Sequence, residues 1–382
     1  MNTSCSDTAM PSGGILIFGT STQDIETTKQ HLLGRLGELD LVQYVETHEE
    51  LAASPYAIRF SLRKECSHDW APDFDTMRLC DRLGLDMGNG SIGLEQEILL
   101  AMLLGPIPFQ FPSYEELVSA VRIRKNIVEA ARKTELSFHT TEAERPTDYW
   151  TYVKGRGFIL LPGTSLITAL QKATQPDASG TRYSFSCYRA TEYVILLGLA
   201  QELMTCNPDL FARLQHHWES RAIMSGQFHE VFLREHGSMD EPLPLKYFVP
   251  GDRTWFRNPD AHSSDVTGYE GSWVVYLGSG LFCNFWKSTE PYTLTRKCVE
   301  IYHWRNATYR DQAGQLQMDE VIVEQRVQAS IADPADMERI LEKMLRHREP
   351  SGVYLHGGCM DTTREYLRWV CTGTADLRLP EH

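Results

Sequence analysis

The stretch Tyr183-Ser-Phe-Ser-Cys187-Tyr-Arg-Ala-Thr-Glu-Tyr-Val-Ile-Leu-Leu-Gly198 predicts a buried helix with a cysteine in its first turn. Ser186 is a favourable N-cap residue, and the apolar run that follows continues to Leu199. Free backbone N–H groups and the positive end of a helix dipole favour a thiolate at such a position. Cys187 is therefore the candidate nucleophile. The alternative interpretation is a small buried hydrophobic residue, which is what most free cysteines are.

Two further segments predict an antiparallel sheet behind this helix. Pro250-Gly251-Asp252-Arg-Thr-Trp-Phe256 is typical of a turn leading into a strand, and Ser272-Trp-Val-Val-Tyr-Leu-Gly278 is typical of a second strand. Residues 281–286 continue the pattern, and residues 292–304 are predicted to add another strand. A helix that presents a thiol to such a sheet predicts an α+β fold with a papain-like cysteine-enzyme core.

A nucleophilic thiol needs a base, and the base needs an orienting group. The residue at the head of the second strand is Ser272, whose hydroxyl is a poor base. Glu270, two residues earlier, is the predicted base, and His262 is the alternative in the preceding loop. Asn284, on the next predicted strand, is expected to orient the base or to polarise a carbonyl.

The rest of the chain predicts a small extension in front of this core. Gly105-Pro106-Ile107-Pro108 is a strong structural break, so we divide the chain into an N-terminal α+β extension at 1–105 and a papain-like domain at 106–382. Ser113 followed by Glu116 predicts a capping box at the start of a long helix. The remaining predicted elements are strands at 15–18, 41–45 and 56–62, helices at 22–39, 95–104, 208–223, 334–346 and 362–370, and a hairpin over 149–161.

Composition excludes several classes of protein. The net charge of −14 argues against nucleic-acid binding, which depends on clustered Lys and Arg. No apolar run approaches the roughly 18 residues that a membrane span needs. Residues 1–13 do not have the pattern of a secretory signal, and nine scattered cysteines without a CxxC pair predict neither structural zinc nor a disulfide framework. We therefore expect a cytoplasmic protein, with export by a specialised system left open.

Histidine spacing gives no metal motif. His229-Glu230 resembles the start of a metalloprotease helix, but the next histidine, His236, lies seven residues from His229 rather than four. His216 and His217 are adjacent on a predicted helix and point to different faces. The sequence therefore predicts no metal and no cofactor.

The chain resembles a known family, the bacterial spore-coat protein-glutamine gamma-glutamyltransferases. Its predicted helix from Ser113 to Thr134 is similar to the family's first long helix, which carries Arg-x-Asn-Ile-Val-x-Ala-Ala, here Arg124 to Ala131. The resemblance covers roughly 109–345. Three further segments match in the family's order: Tyr149-Trp150, Tyr183-Ser-Phe-Ser-Cys187 and Gly251-Asp252-Arg-Thr-Trp-Phe-Arg-Asn-Pro259.

The resemblance implies a papain-like enzyme without a cofactor that joins glutamine to lysine side chains of protein substrates. Cys187 would form a thioester with a glutamine side chain, and a lysine amine or water would resolve it. In the family two glutamates assist the cysteine. This chain has Ser186 at the first matched position and Ser272 at the second, so both family glutamates are replaced.

Three hypotheses follow from these residues. The first is cysteine-dependent acyl transfer on protein glutamine, as isopeptide cross-linking or deamidation. The second is a papain-like domain that has lost turnover and binds a partner protein. The third is an effector that uses the same cysteine as a protease or deamidase.

Overall fold

The computed structural model describes residues 13–52, 54–86, 92–138, 143–223, 225–349 and 357–380. Strands and helices are mixed along the chain. The strands are β1 Ile15–Gly19, β2 Val45–Glu50, β3 Tyr56–Leu62, β4 Phe109–Phe111, β5 Ser137–Phe138, β6 Trp150–Val153, β7 Gly157–Leu160, β8 Ser184–Phe185, β9 Leu233–His236, β10 Arg253–Arg257, β11 Gly271–Gly278, β12 Leu281–Phe282, β13 Tyr292–Thr293, β14 Thr308–Arg310, β15 Leu316–Met318 and β16 Arg364–Leu367. The α-helices are α1 Thr22–Glu38, α2 Lys64–Trp70, α3 Leu79–Leu83, α4 Ile92–Leu103, α5 Tyr114–Lys133, α6 Leu166–Thr174, α7 Pro176–Ser179, α8 Cys187–Cys206, α9 Pro208–Ser220, α10 Ser225–Phe232, α11 Ala261–Ser264, α12 Leu294–Trp304, α13 Glu320–Ile331 and α14 Pro334–Met344.

The N-terminal sheet has four strands in the order β2-β3-β1-β4. β1 and β3 pair antiparallel, whereas β4 pairs with β1 in parallel. The prediction of a strand at 41–45 was wrong, because that stretch holds a short 3-10 helix and β2 begins at Val45. β2 is rich in Glu, which is tolerated because the strand lies at the edge of the sheet and exposes half of its residues.

The second sheet has six strands in the order β13-β12-β11-β10-β16-β9. β10 and β11 pair antiparallel over five residues, as the sequence predicts. β16 was predicted as a helix, and this was wrong. Residues 364–367 pair with β9 over four positions and with β10 at Arg253, so hydrogen bonds to distant strands override the local helical pattern.

The strand predicted at 292–304 is also wrong beyond its first two residues. α12 begins at Leu294, and the Thr293 side chain caps it by accepting a hydrogen bond from the backbone N–H of Arg296. Buried residues Leu294, Cys298 and Ile301 recur at the three- and four-residue spacing of a helix. Similarly, of the strand predicted at 281–286 only Leu281 and Phe282 form β12.

Two long helices, α5 and α8, pack against each other through the centre of the molecule. α5 begins as predicted, since Ser113 Oγ accepts a hydrogen bond from Glu116 N at 3.3 Å. The reciprocal half of the predicted capping box is replaced by a long-range contact. The buried Glu116 carboxylate accepts hydrogen bonds from the backbone of Val370 and Cys371 and from Thr374 Oγ1, at 2.5, 3.0 and 2.7 Å.

α8 is buried along most of its length and contacts β11 of the second sheet. This is the predicted arrangement of a buried helix against an antiparallel sheet. Within the described ranges, the helices include none that is long and apolar enough to cross a membrane.

Candidate active site

Cys187 is the first residue of α8, as the sequence predicts. Ser186 caps the helix, with its side chain accepting a hydrogen bond from Arg189 N at 3.3 Å. The chain enters through β8, whose Phe185 is buried and pairs with Phe138 of β5. Because the cap ends the strand and begins the helix within one residue, Cys187 lies at the tip of α8, where the residue is partly buried.

The surroundings of the Cys187 sulfur act in opposite directions. Burial raises the pKa of the thiol above its ordinary value, and this is the largest effect. The backbone N–H groups of Trp273 and Tyr188 donate hydrogen bonds to the sulfur, and Lys297 supplies a nearby positive charge, so all three lower the pKa. The charge of Glu270 raises it. Burial outweighs the effects that lower the pKa, so the structure favours the neutral thiol of Cys187 rather than the thiolate that the position at the helix start predicts.

Glu270 and Ser272 lie at the start of β11, beside Trp273. Glu270 is exposed, and its carboxylate accepts a hydrogen bond from Gly268 N at 3.3 Å. The negative charge of Glu270 raises the pKa of the Cys187 thiol. Ser272 is partly buried and pairs with Phe256 of the neighbouring strand β10. His262, the alternative base, is exposed on the short helix α11.

Asn284 organises the loop after β12. Its side-chain N–H donates to Glu290 O at 2.9 Å, and its Oδ1 accepts from Trp286 N and Lys287 N at 3.1 and 3.2 Å. These three bonds occupy both ends of the amide. The expected role of Asn284 in orienting a base stays a prediction.

Lys297 acts on the Cys187 thiol but was not among the site residues predicted from the sequence. It lies on α12 and is 2% exposed, with its Nζ 3.1 Å from a Glu300 carboxylate oxygen and 3.4 Å from the centre of the Tyr292 ring. Burial raises the pKa of Glu300, and the Lys297 charge opposes this rise. The helical spacing of Leu294, Cys298 and Ile301, together with the capping Thr293, is the signal that could have revealed this helix.

A layer of aromatic rings and a buried guanidinium lies behind the sulfur. Tyr188 and Trp273 meet edge to face, with ring centres 5.1 Å apart, and Trp273 stacks on Trp255 at 5.7 Å. The guanidinium of Arg253, which is fully buried, lies 4.4 Å from the Tyr188 ring and 4.1 Å from the Trp273 ring. This layer fixes the strand segment that directs the Trp273 N–H at Cys187.

Comparison with known proteins shows the family to which this chain belongs. The family described as Protein-glutamine gamma-glutamyltransferase matches residues 86–368, which is well over half of the chain. The chain belongs to this family, and the match confirms the resemblance inferred from the sequence.

Two known proteins are similar to parts of this chain. A protein-glutamine gamma-glutamyltransferase of Halalkalibacterium halodurans is 26% identical over 196 residues, which are 50% of this chain and 62% of the relative. The chain thus matches less than two thirds of that relative's length. A solved structure, the transglutaminase from Geobacillus stearothermophilus without its C-terminal extension, is 20% identical, with a TM-score of 0.39. That match covers 56% of this chain and 98% of the transglutaminase.

Proposed function

We propose that this protein is a cysteine-dependent acyltransferase acting on the side chains of protein glutamine, with Cys187 as nucleophile and a papain-like core. The observation that carries the proposal is the position of Cys187, at the tip of a buried helix with N–H donors and Lys297 around its sulfur. Family membership supports glutamine as the acyl donor. The division into an extension at 1–105 and a catalytic domain at 106–382 stays part of this proposal.

The proposed reaction has two steps. The Cys187 sulfur attacks the carboxamide carbon of glutamine, the C–N bond breaks, and ammonia leaves with the proton that the thiol gave up. A lysine amine then attacks the thioester, forms an isopeptide bond and returns the proton to sulfur. Water in place of the amine gives deamidation, with glutamate as the product.

The general base must be a different residue from those of the family, because Ser186 and Ser272 stand where the family has glutamates. Ser186 is already engaged in capping α8. We propose that Glu270 accepts the thiol proton, since it directly precedes β11, the strand whose Trp273 backbone hydrogen-bonds to the sulfur, and its charge raises the pKa of Cys187. A positioned base typically contributes about a hundredfold to ten-thousandfold in rate. Whether Glu270 takes over the role of the family glutamates therefore decides between slow and efficient turnover.

The direct test supplies a glutamine-containing protein and a labelled primary amine, and follows both ammonia release and amine incorporation. We expect both to occur and to disappear in Cys187→Ala, with Cys66→Ala as the control because Cys66 is a partly buried free thiol on α2. Ammonia without incorporation would assign deamidation. Activity that survives Cys187→Ala, or no activity with the intact chain, would reject the proposal.

The rival hypothesis is a papain-like binding domain without turnover. The loss of both family glutamates and the raised pKa of the Cys187 thiol favour it. It predicts that Cys187 reacts with a small alkylating agent no faster than the other thiols of the chain. Amine incorporation that disappears in Cys187→Ala would exclude it.

A further inference from the structure

Three ionisable side chains meet at the edge of the second sheet that is formed by β16 and β9. His229 lies on α10, Glu235 on β9 and Glu365 on β16. One ligand atom from each lies within 4.8 Å of the other two. His229 Nδ1 is 2.8 Å from Glu365 Oε1, and its Nε2 is 3.9 Å from Glu235 Oε1. We propose that these residues form a binding site for a divalent first-row transition ion of the zinc type.

The first argument is the placement of two like charges. Glu235 and Glu365 are directly opposite each other in the antiparallel pairing of β9 and β16. Like charges at facing positions of neighbouring strands destabilise a sheet. Arg253 and His229 already offset part of this cost at Glu365. A divalent cation between the two carboxylates would offset more of it, and the imidazole of His229 completes a set of one nitrogen and two oxygen ligands.

The second argument is the state of Glu365. Its side chain is only 8% exposed, and its Oε2 is buried without a hydrogen-bond partner. Arg253 Nε lies 3.2 Å from this oxygen as an ion pair. The guanidinium thus fixes one oxygen of the carboxylate and leaves Oε1 facing His229. Such support of a ligating carboxylate from outside the metal's own ligands is usual in metal sites.

The ligand set selects the class of ion. Imidazole nitrogen suits zinc and its neighbours, whereas Ca²⁺ and Mg²⁺ prefer sites made of oxygen alone. Three protein ligands leave a fourth position for water. Because Glu235 is exposed and His229 is half-buried, an ion can reach the site from solvent. This site does not depend on the HExxH spacing that the sequence lacks, because two of its ligands come from strands.

Binding competes with a proton on His229. The hydrogen bond to Glu365 raises the pKa of His229, the charges of Glu365 and Glu235 add to the rise, and burial and Arg253 oppose it. A metal ion binds the neutral ring only, so one proton passes from the imidazolium to solvent on binding. Zinc affinity is therefore expected to be lower at pH 6 than at pH 8, as it is for any site with an imidazole ligand.

Calorimetric titration of the full chain with Zn²⁺ at pH 6 and pH 8 tests the proposal. The thiols of the chain also bind zinc, so the decisive quantity is the difference between variants. We expect His229→Gln and Glu235→Gln each to weaken one equivalent of binding at pH 8 by at least about tenfold. His216→Gln is the matched control, since His216 is also half of a His–Glu pair, with Glu219 at 3.4 Å.

The expected pH effect is weaker binding of the same equivalent at pH 6 in the unmodified chain. Mg²⁺ and Ca²⁺ titrations are expected to show no binding that depends on His229. Identical zinc isotherms for the unmodified chain, His229→Gln and Glu235→Gln would overturn the proposal, as would the absence of zinc binding. Either result would leave the acyltransferase proposal untouched, because the assay of Cys187 needs no metal.

Discussion

The backbone N–H of Trp273 donates a hydrogen bond to the sulfur of Cys187. This bond joins the tip of α8 to the start of β11, so a main-chain group of the sheet acts directly on the thiol and lowers its pKa. The aromatic contacts of Trp273 with Tyr188 and Trp255 keep that part of β11 in place.

The first prediction concerns the pH dependence of thiol reactivity. Because burial raises the pKa of Cys187, its thiolate fraction is small near neutrality and its alkylation rate climbs as pH rises through and above the ordinary thiol range. Cys206 is a comparison within the same chain, since a hydrogen bond from Cys371 lowers its pKa. Iodoacetamide labelling followed by peptide mass spectrometry should show Cys206 reaching its maximal rate at lower pH. A Cys187 profile that levels off first would contradict the electrostatic account.

The second prediction separates the base from the nucleophile. The Glu270 charge raises the pKa of Cys187, so Glu270→Gln should speed its alkylation at neutral pH. If Glu270 is also the base, the same variant should lower amine incorporation by about a hundredfold. These opposite changes distinguish a lost base from a damaged site. Glu290→Gln, in an exposed pair with Lys287, serves as control and should change neither rate.

The third prediction tests Lys297. Its positive charge lowers the pKa of Cys187, so Lys297→Gln should slow alkylation of Cys187 at pH 8, by about threefold to tenfold or roughly 0.7–1.4 kcal/mol. Glutamine retains a donor for Glu300, which limits the structural damage. Lys287→Gln removes an exposed charge and is expected to leave the rate unchanged. If the alkylation rate and the thermal melt of Lys297→Gln were both unchanged, Lys297 would pair with Glu300 without affecting the Cys187 thiol.

Local signals in the sequence were sufficient for the central parts of this fold. Ser186 and the apolar run behind Cys187 predicted α8, and Ser113 predicted the start of α5, because caps and periodic burial are encoded within one element. β16 and Lys297 were missed for a different reason. The partners of β16 lie more than 100 residues away, and the position of Lys297 depends on packing that no local pattern records.

The last prediction addresses stability at the turn that begins β10. Arg124 of α5 and Asp252 form a buried ion pair, with 2.7 Å between Arg124 Nη1 and Asp252 Oδ1. Asp252 Oδ2 accepts a second hydrogen bond from Val249 N at 2.7 Å. Gly251 has φ +88°, and a Cβ there would lie 3.0 Å from Arg124, so the turn and the arginine are closely fitted.

Asp252→Asn should therefore destabilise the protein by about 3–5 kcal/mol, the usual cost of leaving one partner of a buried ion pair unpaired. Both oxygens of Asp252 accept hydrogen bonds, so the amide of asparagine would turn a donor toward either Arg124 or Val249. The free energy of unfolding in urea measures this loss, with Glu290→Gln as a surface control that should leave it unchanged. A small loss in Asp252→Asn would mean that water or a rearranged turn replaces the carboxylate, and that α5 does not depend on this pair to hold β10 beside the active site.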